Sequence, residues 1–215
     1  MNKKLRERLK ESATSGNLYF CDTTFIRAQQ KYMAMVHHYN RVHPYRFLTK
    51  RFLLQRIFGS VGKKLYIEAP FYANWGINTY WGDNCYANFS LTLVDDCEIH
   101  IGNNVMFGPN VTLCTVGHPI DPSLRFPKVA QFGFPIEIGN GVWLGANVTV
   151  MPGVKIGDNT VVGAGSLVTK DLPPNCLALG SPCKFVREIG EYDRQYYSKG
   201  REIKDIGSFK TSGKH

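Results

Sequence analysis

The stretch "CTVGHPI", Cys114 to Ile120, sets a thiol and an imidazole four residues apart, with Gly117 and Pro119 flanking the histidine. Two chemistries follow from these residue types. A cysteine beside a histidine can form an acyl-enzyme. A neutral imidazole can instead take the proton of a hydroxyl as that hydroxyl attacks an activated acyl group, an effect worth about 10² to 10⁴ in rate. Gly117 gives the backbone freedom before His118 and Pro119 restricts it afterwards, so the ring is held in a defined place. Metal chemistry has less to draw on. A catalytic zinc takes three converging protein ligands, and between residues 65 and 190 histidine occurs only at 100 and 118. The cysteines at 21, 85, 97, 114, 176 and 183 include no Cys-x-x-Cys pair, so neither structural zinc nor a disulfide framework is expected, and no metal is assigned. Walker and Gly-x-Gly-x-x-Gly loops are absent too.

The elements that must position His118 repeat every six residues. From Ile138 to Pro173 the chain reads "IGNGVW LGANVT VMPGVK IGDNTV VGAGSL VTKDLP". First positions are aliphatic (Ile138, Leu144, Val150, Ile156, Val162, Val168), second positions are mostly glycine, and fifth positions are small or medium. Third and fourth positions form turn pairs such as Asn140-Gly141 and Asp158-Asn159. The same frame runs from Trp75 as "WGINTY WGDNCY ANFSLT LVDDCE" and resumes at Ile101. A period of six with turn residues in every unit fits neither an amphipathic helix nor simple strand alternation. It predicts a solenoid of short parallel strands whose first-position residues stack inward. With three units per coil, residues 18 apart share a face, so Trp143 stacks on Val161 and Lys155 on Pro173. One outer face is then apolar and another wet, as expected if one side meets a partner subunit. Cys114 falls at a second position, where a small residue suits packing, and Cys85 and Cys97 at fifth positions read as core filler. The 25 steps from Leu113 to Ile138 break the frame, so residues 114–135 are expected to leave the solenoid as a loop carrying His118.

The stretches 86–121 and 134–184, with their "YANF", "VDD", "TVGHP" and "GSPCK" elements, resemble the hexapeptide-repeat sugar O-acetyltransferases of the galactoside, maltose and nodulation-factor type. The resemblance covers most of residues 65–190 and, more weakly, "GNLYFCD" and "HHYN" near the N-terminus. It implies a mainly β fold, a left-handed parallel β-helix with an N-terminal helical cap, assembled as a homotrimer with active sites between subunits. It implies acetyl transfer from acetyl coenzyme A to a sugar hydroxyl, directly in a ternary complex, with His118 as general base. It further implies that the oxyanion donor is the backbone amide of Ala146. Asn88 and Asp96 match acceptor-contacting positions, and Asp96 either binds the sugar or orients the imidazole. Asn74 stands where galactoside enzymes have serine, and Asp22 matches an acidic position once a residue is skipped. Ala164, Thr169 and Lys170 match contacts to the pantetheine arm, Lys184 and Arg187 reach toward the phosphates, and Trp143 lies on the subunit-facing or pocket wall. A non-sugar acceptor on the same scaffold, or a non-catalytic trimeric scaffold with a basic docking region, are the competing readings.

The chain of 215 residues, 43% hydrophobic, is long enough for one sizeable domain. We divide it into a basic helical cap (1–64), the repeat region (65–185) and a C-terminal helix and tail (186–215). Residues 1–64 carry 14 Lys or Arg against Glu7, Glu11 and Asp22, whereas the remainder is slightly acidic. In "IRAQQKYMAMVHHYNRV", Ile26, Met33 and Val36 are expected to share a buried face. The apolar residues of "KRFLLQRIFGSVGKK" are assigned to covering the open end of the solenoid, so no nucleic-acid or membrane partner is expected. No apolar run approaches the ~20 residues of a membrane span, and the N-terminus lacks a secretory apolar segment, which points to the cytoplasm.

Overall fold

The computed structural model describes residues 16–21, 23–126 and 129–203. Its body is a parallel β-solenoid of triangular section. Strands Ser60–Val61, Thr79–Trp81, Ile99–Ile101, Ile136–Ile138 and Lys155–Ile156 make the first face. The second holds Tyr66–Ile67, Tyr86–Ala87, Met106–Phe107, Trp143–Leu144, Val161–Val162 and Cys176–Leu179, with Lys184–Glu188 added antiparallel at its end. Tyr72–Ala73, Thr92–Val94, Thr112–Cys114, Thr149–Val150 and Leu167–Val168 form the third.

The repeat grammar accounts for this shape. All six first-position aliphatics from Ile138 to Val168 are buried, as are the fifth-position residues Val142, Val148, Val154, Thr160, Ser166 and Leu172. The two polar members stay satisfied inside, the Thr160 hydroxyl donating to the Pro173 carbonyl and the Ser166 hydroxyl to that of Gly163. Corners demand positive φ at the fourth position. Asn84, Asn104, Gly141, Asn159 and Asn175 supply it at the first–second corner, and Asn110, Asn147 and Gly165 at the second–third. Those residue types tolerate the left-handed region, which is why the turn pairs read as they do.

Outer faces differ as expected. Trp143 lies between Met106 and Val161 on the second face, and both Trp143 and Met106 are half exposed. The first face is polar, with Lys155 paired to Glu137 at 2.8 Å. The expected register of 18 holds for the coils after the loop, as in Glu137 with Lys155 and Trp143 with Val161, but the coils before the loop pair residues 20 apart, as in Tyr66 with Tyr86 and Thr92 with Thr112, and the closing coil departs the other way. Val161 faces Leu177 and Ile156 bridges to Leu172, both 16 apart, because the closing coil is shorter. Lys155 therefore sits beside Asp171, whose carboxylate accepts its backbone N–H, and not beside Pro173.

Two helices cover the open end, α1 (Thr23–Arg41) and α2 (Phe47–Ile57). Pro44 separates them, disfavouring helix in the residue before it. The buried row of α1 is not the one expected. Val36 and Tyr39 are buried, and Phe25 and Tyr32 lie against the buried Trp75 ring, whereas Ile26 and Met33 are nearly half exposed. Aromatic residues at 25, 32 and 39 define the inward line, two helical turns apart, and they outbid the aliphatic set. Tyr39 donates its hydroxyl to the Ile67 carbonyl, and Asn40 clamps the Phe71 backbone through both N–H and C=O. From α2, Leu53, Leu54 and Ile57 turn inward. No described helix is long and apolar enough to cross a membrane.

Candidate active site

The broken frame is a small antiparallel sheet. The chain leaves the third face at Thr115, forms Val116–Gly117, turns through the short helix Pro122–Arg125, and returns as Ala130–Gly133. On the far side of this returning strand lies Tyr19–Phe20, with Tyr19 opposite Gln131 and Phe20 opposite Ala130. Thr115 fastens the exit, its hydroxyl donating to the Val94 carbonyl and accepting the Cys97 N–H.

His118 follows the outgoing strand and is exposed. Its Nδ1 lies 2.8 Å from the Ala130 carbonyl oxygen. A carbonyl only accepts, so Nδ1 carries the hydrogen and Nε2 keeps its lone pair. The orienting group is thus a backbone carbonyl of the neighbouring strand, and not Asp96. Cys114 turns its thiol to the Val116 carbonyl at 3.2 Å, with no hydrogen bond to His118, which leaves the imidazole and not the thiol placed for chemistry.

Asp96 is buried at the third–first corner. It accepts from Asn74 Nδ2 at 2.7 Å and from Trp75 Nε1 at 3.3 Å. Burial raises its pKa, and those donors oppose the rise. Gln131 donates to the Tyr19 hydroxyl at 2.6 Å, so the strand that orients His118 is tied by a side chain to the N-terminal strand. Burial, reinforced by the Asp96 charge, pushes the Tyr19 hydroxyl well above its usual range and the Cys97 thiol up to about 12, so both stay neutral. Asp95, fully buried, accepts from the Trp75 N–H and the Thr79 hydroxyl. Burial pushes its carboxyl up to about 8.

The remaining candidates do not lie here. Asn88, Ala146 and Ala164 are turn residues of the second–third corner, stacked coil on coil. Five steps along the chain lead from Ala146 to Met151 at the other edge of the third face, roughly 16 Å at about 3.3 Å per extended residue. Base and oxyanion donor must each lie about 3 Å from one reacting centre. The width of the third face lies between the Ala146 corner and the corner from which the His118 loop departs. Thr169 and Lys170 are exposed at the third–first corner in the closing coils.

The two turn corners differ in what caps their amides. At the first–second corner a ladder of side chains accepts the N–H groups: Asp83 from Lys63, Asn103 from Asp83, Asn140 from Asn103 and Asp158 from Asn140, at 2.7 to 2.9 Å. At the second–third corner the equivalent residues are Phe89, Pro109, Ala146 and Ala164. Ala146 N–H has no partner among the described residues. Gly108 lies directly over it, where a Cβ would come within 2.7 Å of the Ala146 nitrogen. Asn88 receives the Phe89 N–H on its oxygen, leaving its Nδ2 to donate outward.

The cations are unequal. Arg187 makes a two-armed bond to Asp193, 2.7 Å on each arm, while Lys184 makes no ion pair among the described residues. Asp193 and the Glu188 carbonyl thus occupy three of the five Arg187 N–H donors. Asp22 lies outside the described residues. No group of three or more His, Cys, Asp or Glu side chains among the described residues is arranged to hold a metal. Tyr19, Trp75, Ala130 and Gln131 belong to the site without having been singled out from the sequence. Trp75 and Gln131 carried a detectable signal, being polar-tipped residues just beside the Asn74 and His118 segments.

Residues 135–170 match the family model described as bacterial transferase hexapeptide (six repeats). The chain is 46% identical over 169 residues to the galactoside O-acetyltransferase of Escherichia coli K12, covering 79% of this chain and 83% of that protein. It is 45% identical over 194 residues to the galactoside O-acetyltransferase of Lactococcus lactis, covering 89% and 93%. A solved galactoside acetyltransferase in complex with coenzyme A superposes with a TM-score of 0.88 at 40% identity, over 92% of this chain and 98% of that one. The maltose O-acetyltransferase of Clostridium difficile 630 gives 0.81 at 39% identity, over 85% and 97%.

Proposed function

The chain belongs to the hexapeptide-repeat galactoside and maltose O-acetyltransferase family, and on that premise we propose that it moves the acetyl group of acetyl coenzyme A to a hydroxyl of a sugar or glycoside, with His118 as the base. It is an acetyl-coenzyme-A-dependent acyltransferase, and acetyl coenzyme A is its donor substrate. The observation that carries the catalytic assignment is the bond from Nδ1 to the Ala130 carbonyl, which leaves Nε2 as an acceptor at the exposed edge of the loop.

A thioester carbonyl is already activated, while an alcohol is almost entirely un-ionised at neutral pH. Nε2 takes the hydroxyl proton as the sugar oxygen bonds to the acetyl carbon. Negative charge then collects on the former carbonyl oxygen, where the uncapped Ala146 N–H stabilises it. The C–S bond breaks, and the imidazolium returns its proton to the departing thiolate. An imidazolium cannot begin the cycle, so activity falls on acidification.

Because the two corners are separated by the width of the third face, the site is completed by a second copy. His118, Asp96 and Asn74 come from one subunit, and Ala146 and Asn88 from its neighbour. Repeated around a three-fold axis, this arrangement gives a homotrimer with three sites. Asp96, held by Asn74 and Trp75, turns its remaining acceptor capacity to acceptor hydroxyls, and Asn88 donates from the other side. Ala164, Thr169 and Lys170 flank the pantetheine arm, Lys184 meets a phosphate, and Trp143 walls the cleft.

The test is release of coenzyme A from acetyl coenzyme A with galactosides, glucosides, maltose, chloramphenicol and serine, for the native protein and His118→Ala. The reading predicts turnover on a sugar, lowered by about 10² to 10⁴ in the variant. Turnover confined to chloramphenicol or serine contradicts the acceptor class, and an unchanged rate in the variant contradicts the base.

A further inference from the structure

Helix α2 has two faces, and covering the solenoid uses only one. Lys50, Leu53, Leu54 and Ile57 are buried, an arc of about 100° at 100° per residue. The opposite arc carries Phe47, Leu48, Arg51, Phe52, Gln55 and Arg56. Leu48 is 86% exposed, and Phe47 and Phe52 more than half; Tyr45, in the turn just before, is 80% exposed. The Arg56 guanidinium lies 5.5 Å from the centre of the Phe52 ring, a cation beside an exposed aromatic.

The surroundings are predominantly positive, with Glu68 and Asp83 as the nearby acidic residues. Residues 23–67 contain nine Lys or Arg and no Asp or Glu. Arg41, Arg46, Arg56, Lys63 and Lys64 are exposed in the helix ends and turns around the apolar arc. The cap therefore presents exposed Leu, Phe and Tyr side chains on elements that also carry exposed cations.

We propose that the outer face of α2 docks this protein on an anionic membrane surface, with Tyr45, Phe47, Leu48 and Phe52 entering the headgroup region and the surrounding cations meeting lipid phosphates. Charge complementarity selects the anionic partner. The apolar residues select a lipid over a nucleic acid. The most exposed of them, Leu48, has no π-face for a base to stack on, but it suits the acyl boundary, and Tyr and Phe suit the interface. None of Tyr45, Phe47, Leu48 and Phe52 belongs to the catalytic or donor-binding residues assigned above.

Sedimentation of the full chain with vesicles tests it, using phosphatidylcholine alone and phosphatidylcholine with about 30% phosphatidylglycerol at low salt. The proposal predicts pelleting with the anionic vesicles, at least about ten-fold weaker with the neutral ones, and weakening as salt is added. The double variant Leu48→Glu/Phe52→Glu alters two exposed side chains. It is predicted to keep the native acetylation rate on a soluble acceptor and to lose vesicle binding at least about ten-fold. Absence of binding to anionic vesicles at low salt overturns the proposal, and so does equal binding by the double variant. Retention on a duplex or single-stranded oligonucleotide without vesicle binding reassigns the face to nucleic acid. A change in oligomeric mass of the double variant by light scattering reassigns it to a subunit contact.

Discussion

Gly108→Ala isolates the role given to the Ala146 amide. A Cβ at 108 would stand 2.7 Å from the Ala146 nitrogen, 2.9 Å from the Gly145 carbonyl carbon and 3.1 Å from the Ala146 Cα, all backbone atoms with no flexible side chain to yield. Restoring contact distance moves the corner by several tenths of an ångström or more and crowds the N–H. Two costs follow. Overpacking is worth about 1 to 3 kcal/mol of stability. Loss of one oxyanion donor is worth about 10² to 10³ in kcat. The matched control is Gly102→Ala at the first–second corner, whose Cβ would meet the Asn140 nitrogen and Gly139 carbonyl carbon, each at 2.8 Å. There the Asn140 N–H is capped by Asp158. Both variants should lose stability to a similar extent by thermal unfolding, and only Gly108→Ala should lose kcat, assayed well below both midpoints. Equal loss of kcat in the two variants, or a Gly108→Ala protein with native kcat, would refute the assignment.

Other outcomes follow from the same geometry. Asp95 holds its proton up to about pH 8 when folded, whereas an unfolded aspartate releases it near 4. Between those values the folded state binds more protons, so this group's contribution to stability is greatest at low pH and is lost as pH rises through the window. Asp95→Asn should flatten that part of the stability profile, measured by urea unfolding from pH 5 to 8; an unchanged slope would count against it. Tyr19→Phe removes the partner of Gln131 from the strand that orients His118. It should cost about 0.5 to 1.5 kcal/mol of stability and lower kcat with little change in KM for acetyl coenzyme A. Glu137→Gln breaks only an exposed ion pair and should change stability by less than about 1 kcal/mol by thermal unfolding. Lys184→Ala should raise KM for acetyl coenzyme A, and Arg187→Ala should raise it less, because Arg187 is already held by Asp193.

The solenoid was legible because its rule is local. Each six-residue unit declares its inward residue, its turn pair and its corner, and Ile138 through Val168 followed that rule into the core. The break at residues 114–135 was equally visible as a failure of the count. What joins distant segments left no such mark. Tyr19–Phe20 pairs with Ala130–Gly133 across more than a hundred residues, and nothing near Tyr19 names that partner. The orienting Ala130 carbonyl is main chain, which every residue has, so the sequence offered Asp96 as an orienter in its place. In α1, apolar spacing admitted two rows, and the Phe25, Tyr32 and Tyr39 row prevailed because aromatic rings were needed to reach Trp75 and Phe71. The coils depart from a strict period of 18 at both ends of the array, with 20 residues per coil before the loop and 16 in the closing coil, which moved Lys155 from Pro173 to Asp171.

The central claim is that one active site draws on two copies of the chain. Co-expression of His118→Ala and Gly108→Ala chains under different tags, followed by capture through both tags, yields only mixed assemblies. Around a three-fold ring each mixed trimer contains one interface that joins an intact His118 to an intact Ala146 corner, so activity should recover to about one third of the native value per trimer, while each variant alone stays near background. Mixed assemblies no more active than the separate variants would contradict the account and return both groups to a single chain.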